Sequence, residues 1–578
     1  MDADVRSSSS APNPAEMSRQ LRAQLATITG GLAPENYANA WWDWYLNLAQ
    51  EPPKQIEILQ DAFARALDTW NFSLQAAAGE PLAPARCDSR FAADAWSQWP
   101  FNVYARGYRN WVDWWQKASE TPGMTPEHAR TLSFMAGNAL DAVSPANYLA
   151  TNPELLDATR AEAGANLVRG FNYWLEDVEN ALGGKKPGTE KYVIGRDIAA
   201  APGKVVLRNE LIELIQYAPA TPSVFAEPIL IVPAWIMKYY ILDLSPANSL
   251  VRYLVSCGHT VFMLSWKNPN ASDRNLGMDD YLRLGIDAAV AAVSSILPGR
   301  PLHSVGYCIG GTLLSIAAAR HAGESGWPLA SMSLLAAQQD FSEPGELSVF
   351  ITPDQLDMLE AVMERTGVLK SEQMAAAFTL LRSRDLLWNP AVSTYLRGKR
   401  DTPNDLMAWN ADGTRMPYRM HAEYLRRLYL NNALAKGEFE ALGRRVDLTA
   451  ITVPMFVVGT ETDHVAPWQS VYKARALTRS SDYTFLLTSG GHNAGIISGP
   501  SHPRRRHRVR TWLNASDTLA PQHWFDSTPA QTGSWWPVWQ RWLAQHSSPD
   551  QVAPPPMGAA AAGLTPLADA PGEYVLQR

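Results

Sequence analysis

Two hydrophobic periods divide this chain into regions. Between about residues 16 and 195, apolar positions recur every three to four residues, which predicts helices. From residue 196 to about 546, short apolar runs alternate with helical segments, which predicts a mainly parallel sheet flanked by helices. Residues 1–15 are polar and are expected to be a disordered lead, and the Ala- and Pro-rich residues 547–578 are expected to be a mobile tail. The pattern therefore predicts a helical N-terminal domain followed by an α/β domain.

The predicted strands are short runs of apolar and β-branched residues. They are Val205–Leu207, Leu214–Tyr217, Ile229–Val232, Thr260–Leu264, Leu302–Val305, Met332–Leu335, Pro454–Val458 and Tyr483–Leu487. Between about residues 340 and 440 the alternation lapses into helical and irregular sequence. Because this stretch is inserted between two strands, we expect it to form a cap or lid over one edge of the sheet.

Tryptophans are concentrated in the helical region, and many of them lie three or four residues apart. Trp41 and Trp44 fall on one helix face, and so do Trp111 and Trp115. Aromatic stripes of this kind are more often buried in a core than arranged as a ligand cage, so we expect a core. Any exposed share would be suited to gripping an apolar surface or a second subunit.

The composition narrows the class of protein. Three cysteines in 578 residues exclude a disulfide scaffold and suit a reducing compartment, so we expect a cytoplasmic protein. The first residues are acidic and serine-rich, unlike a secretory signal, and no window approaches the roughly 18 apolar residues of a membrane span. A net charge of -7 argues against nucleic acid as the partner.

The most informative motif is Gly306–Gly311, in which a cysteine stands between spaced glycines after the predicted strand Leu302–Val305. Small residues two before and two after a nucleophile let a strand and the next helix approach closely around a sharp turn. A thiolate at Cys308 would also be stabilised by the unpaired N–H groups at the start of that helix. We interpret the motif as a nucleophile elbow. Cys87 and Cys257 lack this setting and are expected to be structural.

An acid and a histidine follow the elbow, each after a predicted strand. Asp463 lies in the loop after Pro454–Val458, and His492 lies in the glycine-rich loop after Tyr483–Leu487. The order nucleophile, acid, histidine resembles that of the α/β-hydrolases. Each residue alone has an ordinary structural interpretation, since free cysteines are usually small hydrophobes and such aspartates usually cap loops. Their joint occurrence favours a triad with Cys308 as nucleophile, His492 as base and Asp463 as the group that orients the base.

Several further stretches match one known family. They are Pro233–Leu244, Gly258–Phe262, Ser265–Pro269, Gly533–Pro537 and Pro571–Val575. With these and the triad loops, residues 35–578 resemble the polyhydroxyalkanoate synthases, bacterial enzymes that polymerise 3-hydroxyacyl-CoA into a storage polyester. Tyr307 and Ile309 within the elbow resemble the class I type, which favours short side chains and needs no second kind of subunit. The resemblance implies an α/β-hydrolase fold, an inserted cap and a separate helical N-terminal domain.

The resemblance also implies a chemistry and a set of partners. The substrate is a 3-hydroxyacyl-CoA thioester, no cofactor or metal is expected, and the enzyme is expected to be a homodimer at the surface of polymer granules. In the family, the residue matching Asp463 is proposed to activate the 3-hydroxyl group, and the residue matching His464 lines the site. His464 equally suits a role in positioning its own loop. The N–H group of Ile309 is the expected first oxyanion donor, and the second is expected from Trp235 or Ile236.

Some features leave alternatives open. Ala234, Met237 and residues 493–500 depart from the family pattern near the pocket, so the monomer preference is undecided. The basic run Arg504–Arg510 suits either CoA phosphates or, more often for such clusters, a solvated face. The same triad would serve an acyl-CoA thioesterase or hydrolase, and a granule-coating protein with an inactive elbow is the third alternative. The fate of the acyl group distinguishes the polymerase from the hydrolase, because an apolar, water-free site favours transfer.

Overall fold

The computed structural model describes most of the chain as two compact units. The described residues are 14–29, 31–79, 88–183, 189–324, 326–514 and 519–578. The sheet unit comprises the described residues of 14–31, 189–373 and 404–578, and the helical unit comprises those of 32–183 and 374–403. Cys87 and most of the predicted N-terminal lead lie outside the described residues.

The strands occupy the positions that the apolar runs predict, with additions at the edges. They are β1 (Gly203–Arg208), β2 (Ile212–Tyr217), β3 (Ile229–Val232), β4 (Val261–Trp266), β5 (Leu302–Tyr307), β6 (Leu329–Leu335), β7 (Val368–Leu369), β8 (Met416–Pro417), β9 (Glu440–Ala441), β10 (Arg444–Arg445), β11 (Met455–Thr460), β12 (Tyr483–Thr488), β13 (Arg506–Trp512), β14 (Gln531–Thr532) and β15 (Ala568–Asp569). All eight runs predicted as strands are strands in the structure.

Within the described residues, the main sheet has eleven strands in the order β14-β13-β12-β11-β6-β5-β3-β4-β2-β1-β15. The central pairs from β4 through β3, β5, β6 and β11 to β12 are parallel, and the outer pairs are antiparallel. The central strands β3, β4, β5, β11 and β12 are buried along their whole length, as parallel strands covered on both faces must be. The predicted α/β sheet is therefore confirmed.

The helices lie between and around these strands. They are α1 (Pro14–Ile28), α2 (Pro34–Gln50), α3 (Pro52–Ala77), α4 (Phe101–Ser119), α5 (Pro126–Ala142), α6 (Pro153–Ala161), α7 (Ala165–Leu182), α8 (Leu250–Ser256), α9 (Met278–Asp280), α10 (Ala288–Ile296), α11 (Ile309–Arg320), α12 (Pro353–Thr366), α13 (Ser371–Leu381), α14 (Asn389–Ala391), α15 (Asp405–Ala411), α16 (Tyr418–Tyr424), α17 (Trp468–Tyr472), α18 (Ala474–Leu477), α19 (Pro521–Ser527) and α20 (Trp536–Gln545). Four π-helical turns at Tyr281–Asp287, Arg384–Trp388, Val392–Leu396 and Leu425–Leu430 extend some of them. No helix in the described ranges is long and apolar enough to cross a membrane.

The helical unit has a small aromatic core of its own. It includes Trp96, whose ring meets that of Phe91 edge to face at 4.8 Å between ring centroids. The expected tryptophan core is thus correct for Trp96 but wrong for Trp42 and Trp99, which are 58% and 60% exposed. Trp42 lies on the face of α2 that remains in contact with solvent, and Trp99 lies in the turn before α4.

The stretch predicted as a single lid, residues 340–440, is divided between the two units. Residues 374–403 belong to the helical unit, where Asn166 Nδ2 donates a hydrogen bond of 2.8 Å to the carbonyl of Leu396. Gly170 permits this close packing, because a Cβ there would lie 1.8 Å from the carbonyl oxygen of Tyr395. Periodicity reports that a segment is helical but does not report which unit its apolar face meets.

The first helix shows the same limit of the sequence pattern. α1 was expected in the helical domain but belongs to the sheet unit, where Arg22 forms an ion pair of 3.0 Å with Asp357 of α12. α12 itself begins after Thr352, whose hydroxyl accepts a hydrogen bond from the N–H group of Gln355 and so caps the helix.

The C-terminal segment, for which the composition predicts a mobile tail, packs on the sheet unit. β15 pairs with β1 as the edge strand of the main sheet. The buried carboxylate of Glu213 accepts hydrogen bonds of 2.9 Å from the N–H groups of Glu573 and Tyr574. The ammonium group of Lys238 donates to the carbonyls of Val575 and Gln577. These partners lie hundreds of residues away along the chain, which is why the local composition does not reveal them.

Candidate active site

Cys308 occupies a strained turn between β5 and α11. Its backbone angles are φ 53° and ψ −131°, in a region that non-glycine residues rarely adopt. Such a conformation costs about 1–3 kcal/mol and persists only where the surroundings impose it. Here the N–H group of Cys308 donates to the carbonyl of Leu335 at 2.9 Å, and its carbonyl accepts from Gly311. The predicted nucleophile-elbow geometry is present.

The glycines of the elbow are required by close approach. A Cβ at Gly306 would lie 2.3 Å from the Cα of Gly311, and a Cβ at Gly310 would lie 2.4 Å from the carbonyl oxygen of Val232. Real Cβ atoms do not approach other heavy atoms so closely. The spacing of the glycines therefore lets the strand, the turn and the start of α11 pack against the end of β3.

Asp463 and His492 follow β11 and β12 at the same edge of the sheet as Cys308. The register explains this placement, because Tyr307 of β5 pairs with Leu335 of β6, and Thr460 of β11 pairs with Thr488 of β12. The carboxyl ends of adjacent parallel strands emerge at one edge. The structure thus brings together the three residues that the sequence singles out.

Every oxygen of the Asp463 carboxylate is used within the site. Oδ1 accepts hydrogen bonds from the N–H groups of Val465 at 2.9 Å and Ala466 at 2.8 Å. Oδ2 accepts from the hydroxyl of Thr460 at 2.7 Å and lies 2.8 Å from Nδ1 of His492. Burial opposes ionisation, but the charge and hydrogen bond of the imidazole, with the other donors, hold the pKa of Asp463 below its ordinary value.

His492 is buried between Asp463 and Cys308. Burial by itself would lower the pKa of His492, but the negative charges of Asp463 and Cys308 and hydrogen bonds to both raise it well above its ordinary value. Because an ionised carboxylate can only accept, Nδ1 carries the proton of the 2.8 Å bond to Asp463. In the neutral imidazole, Nε2 is then the atom left to accept the proton of the Cys308 thiol.

The two segments expected to supply oxyanion donors lie beside the elbow. Ile309 is the first residue of α11, so its N–H group has no acceptor within that helix. The loop after β3 runs against the same turn, since Gly310 would clash with the carbonyl of Pro233 if it had a side chain. Trp235 is buried there, with its ring 5.4 Å from that of Tyr281. The assignment of Ile309 with Trp235 or Ile236 as donors stays a prediction.

His464 takes part in shaping its own loop. Its backbone carbonyl accepts a hydrogen bond of 3.1 Å from the N–H group of Glu346. Gly345 passes so close that a Cβ there would lie 2.5 Å from the same carbonyl oxygen. These contacts involve the backbone, so the role of the imidazole of His464 in lining the site stays a prediction.

Two tyrosines near Cys308 were not found from the sequence. Tyr424 and Tyr429 lie with their hydroxyl oxygens 3.5 Å apart. Burial raises the pKa of both phenols, and the charge of Cys308 raises each further, which requires proximity to the sulfur. The π-helical turn Leu425–Leu430 brings residues five apart onto one face. A search at the α-helical period of 3.6 misses a pair with that spacing.

The basic run Arg504–Arg510 covers the two residues before β13 and the first five residues of that strand, and several of its side chains make contacts within the fold. Arg506 forms an ion pair of 2.8 Å with Glu461. The guanidinium of Arg508 lies 4.4 Å from the centre of the Phe525 ring. Arg504 and Arg506 are exposed to solvent, as the solvated-face alternative expects. Contact of this run with CoA phosphates stays a prediction.

The sheet topology and a comparison with sequence models of known families give the fold class of the protein. The sequence model described as "alpha/beta hydrolase fold" matches residues 227–498. Solved structures that align with the chain include a monoglyceride lipase from Saccharomyces cerevisiae, at 12% identity and a TM-score of 0.33, covering 60% of this chain and 94% of that one. The strand order of the main sheet and the matching sequence model show that the protein has the α/β-hydrolase fold.

Longer matches then give the family. Two models, described as "Poly-beta-hydroxybutyrate polymerase (PhaC) N-terminus" and "Poly-beta-hydroxybutyrate polymerase N terminal", match residues 87–254 and 13–54. The poly(3-hydroxyalkanoate) polymerase of Methylorubrum extorquens is 38% identical over 536 residues, covering 91% of this chain and 87% of that protein. The polymerase subunit PhaC of Rhizobium meliloti is 35% identical over 97% of this chain and 93% of its own length. This chain belongs to the poly(3-hydroxyalkanoate) polymerase family.

Proposed function

We propose that this protein joins (R)-3-hydroxyacyl groups from CoA thioesters into a polyester and releases CoA, without a cofactor. The observation that supports this most is the strained turn at Cys308, which lies in contact with the His492–Asp463 pair. Family membership supplies the reaction, and the geometry supplies a nucleophile and a base that fit it. A thioester already carries an activated acyl group, so sulfur can exchange with sulfur at little net cost.

The first step proposed is acylation of Cys308. Nε2 of His492 takes the thiol proton, and the sulfur attacks the carbonyl carbon of the acyl-CoA. The carbon–sulfur bond to CoA then breaks, and the departing CoA sulfur takes the proton from the imidazolium. The raised pKa of His492 supports the ion pair that this step requires. N–H donors at the elbow would stabilise the oxyanion between the two events.

The second step proposed is ester formation by a 3-hydroxyl group. The hydroxyl oxygen of one acyl group attacks the thioester carbonyl of another, a carbon–oxygen bond forms, and the carbon–sulfur bond breaks. The hydroxyl proton passes to a base and then to the sulfur that leaves. Asp463 already accepts four hydrogen bonds and has a lowered pKa, so it is a poor proton acceptor. We therefore assign the hydroxyl proton to Nε2 of His492, with Asp463 orienting the ring.

Aromatic residues near Cys308 are the evidence for proposing that the site excludes water and prefers substrates with short acyl side chains. Tyr424 and Tyr429 lie near the sulfur, and Phe341 packs on Tyr429 at 4.7 Å between ring centroids. Bulky rings close to the nucleophile leave little room for a long acyl side chain. A dry site also favours attack by a hydroxyl group over attack by water.

We also propose that the protein acts in the cytoplasm at the surface of its polymer. Along α3, large apolar residues recur at intervals of three and four and are exposed to solvent. They are Ile56, Leu59, Phe63, Leu67, Trp70 and Leu74. Such a stripe suits adsorption on an apolar polyester. It is equally available to a second copy of the chain, and a homodimer is the assembly that the family resemblance implies.

The proposed function is tested by the products of one reaction. Purified protein is given 3-hydroxybutyryl-CoA, and released CoA, free 3-hydroxybutyrate and insoluble polyester are all measured. The proposal requires CoA release together with polyester. Free acid as the sole product would identify a thioesterase. The absence of turnover in both the parent and the Cys308→Ala variant would identify a non-catalytic protein. A panel of thioesters with longer side chains tests the proposed preference.

A further inference from the structure

The loop that carries His492 has two anchors outside the triad. We define the histidine loop as Ser489–Gly495, which connects β12 to the chain that leads into β13. The ring of His492 can serve Cys308 and Asp463 together only if this loop holds one position. The groups that fix the loop are therefore relevant to catalysis even though they do not touch the reacting atoms.

The first anchor is the guanidinium of Arg505. Nη1 donates a hydrogen bond of 3.2 Å to the carbonyl of Ser489, and Nη2 donates one of 2.5 Å to the carbonyl of Ala494. These two carbonyls bracket His492 in the sequence. The carbonyl of Arg505 itself accepts a hydrogen bond of 2.7 Å from the N–H group of Gly533, which holds the arginine in place.

The loop leaves space for this guanidinium. Gly490 has φ +107°, and a Cβ there would lie 2.6 Å from Nη1 of Arg505. A side chain at residue 490 would therefore be both strained and in the way. The glycine pair before the histidine, which the sequence marks only as a turn, makes room for a cation that binds the two ends of the loop.

The second anchor joins the histidine loop to the nucleophile elbow. The phenol of Tyr307 donates a hydrogen bond of 2.6 Å to Oδ1 of Asn493. Tyr307 immediately precedes Cys308, and Asn493 immediately follows His492. The Tyr307 and His492 rings also lie 5.7 Å apart between centroids. One bond thus ties the residue before the nucleophile to the residue after the base.

We propose that Arg505 and Asn493 are positioning residues that hold the imidazole of His492 between Cys308 and Asp463. This inference rests on the proposed function, since it assumes that His492 is the base. A misplacement of about 1 Å in such an arrangement can reduce a rate about 100-fold. The planar fork of arginine matters, because a lysine in its place keeps the charge but cannot bind both carbonyls in one fixed geometry.

The test compares full-length variants with a matched control. Arg505→Met removes both bonds, Arg505→Lys keeps the charge, and Tyr307→Phe removes only the second anchor. Arg300→Met is the control, because Arg300 is exposed and lies before β5, at the opposite end of that strand from Cys308. For each variant, kcat and KM are measured from CoA release well below the melting temperature. The low-field proton NMR resonance of His492 Nδ1–H reports the hydrogen bond to Asp463. A change in overall stability alone would not shift this resonance.

The expected result is a drop in kcat of about 10- to 100-fold for Arg505→Met, with KM within about twofold of the parent and a broadened or shifted low-field resonance. Arg505→Lys is expected to recover only part of the loss, and Arg300→Met is expected to behave as the parent. Tyr307→Phe is also expected to lower kcat. If Arg505→Met does not fold, the result for Tyr307→Phe is used in its place. The proposal is overturned if Arg505→Met keeps the parental kcat and the parental low-field resonance. If Arg505→Met does not fold, the same result in Tyr307→Phe overturns the proposal. An equal loss in Arg300→Met overturns it as well.

His492→Ala separates this inference from the proposed function. If His492→Ala abolishes turnover while Arg505→Met keeps it, the positioning role fails and the proposed function stands. If His492→Ala retains parental turnover, the proposed function fails, and the positioning role fails with it.

Discussion

Replacing the carboxylate of Asp463 by an amide tests the orienting role assigned to it. In Asp463→Asn, the new NH2 group must face one of two sets of partners. If it faces the N–H groups of Val465 and Ala466, two buried donors lose their acceptor, at a cost of about 1–3 kcal/mol each. If it faces Thr460 and His492 instead, the hydroxyl can rotate to accept, and the imidazole can accept through Nδ1.

The second orientation costs less, so the variant is expected to fold with the imidazole in the wrong tautomer. The ring proton would then lie on Nε2, which could no longer accept the proton of the Cys308 thiol. Loss of the carboxylate also removes the strongest of the groups that raise the pKa of His492. In serine proteases, the equivalent change lowers kcat by about 10⁴-fold while leaving the geometry intact. We expect a fall of about 10³- to 10⁴-fold here.

The assay measures kcat and kcat/KM for CoA release in parallel with thermal unfolding. We expect a large loss of kcat in Asp463→Asn with a decrease in unfolding free energy of at most about 1–3 kcal/mol. Asp463→Ala is the comparison, because it leaves both the backbone donors and Nδ1 without an acceptor and should lower stability further. The reasoning is refuted if Asp463→Asn keeps turnover within about tenfold of the parent while remaining folded.

Three further predictions concern stability. Burial lowers the pKa of His259 to about 3 and that of His303 to about 4, so the fold keeps its full stability above the unfolded pKa of 6.5 and loses stability as the pH falls toward those values. At about pH 4.5, each neutral ring would lower the stability of the fold by up to about 2.7 kcal/mol. Urea unfolding of His259→Phe should therefore depend less on acid than that of the parent, and an equal dependence would contradict the burial. Gly310→Ala places a Cβ 2.4 Å from a backbone carbonyl oxygen, so it should lower the unfolding free energy by about 1–3 kcal/mol or more and abolish turnover. Gly326→Ala is the control, because a Cβ at that position meets open space and should change neither. Similar melting temperatures for the two variants would contradict the close packing at Gly310. Deleting the last six residues removes two carbonyl partners from the buried ammonium of Lys238 and should lower the melting temperature by several degrees. In a Lys238→Met background, the same deletion should lower the melting temperature by less. If the effects of the deletion and of Lys238→Met on the melting temperature simply add, that result argues against the contact.

The central strands, and the meeting of Cys308, Asp463 and His492 at one edge of the sheet, were predictable because each depends on a signal within a single segment. A buried parallel strand needs an uninterrupted apolar run, and a nucleophile elbow needs glycines at fixed spacing around Cys308. The acid and the histidine were found because parallel strands end at one edge of the sheet, so loops far apart in the sequence meet there. These inferences need no knowledge of which helix packs on which.

The remaining features depend on contacts between distant segments. Residues 374–403 are helical by pattern, but only the fit of Gly170 against Tyr395 shows that they belong with the N-terminal helices. β13 was not predicted because its arginines gave the run a charged character, and the sequence did not show that Arg505, just before the strand, turns inward to hold the histidine loop. Tyr424 and Tyr429 escaped because the π-helical turn changes the period that places them near the sulfur.

The central claim is that the sulfur of Cys308 carries the acyl group after His492 removes its proton. The most direct measurement is a rapid acid quench of the protein with radiolabelled 3-hydroxybutyryl-CoA, followed by proteolysis and mass analysis of the labelled peptide. The account predicts an acyl adduct on the peptide that contains Cys308, formed in the parent and strongly diminished in His492→Ala. A labelled residue elsewhere, or polyester formation by Cys308→Ala at the parental rate, would contradict it.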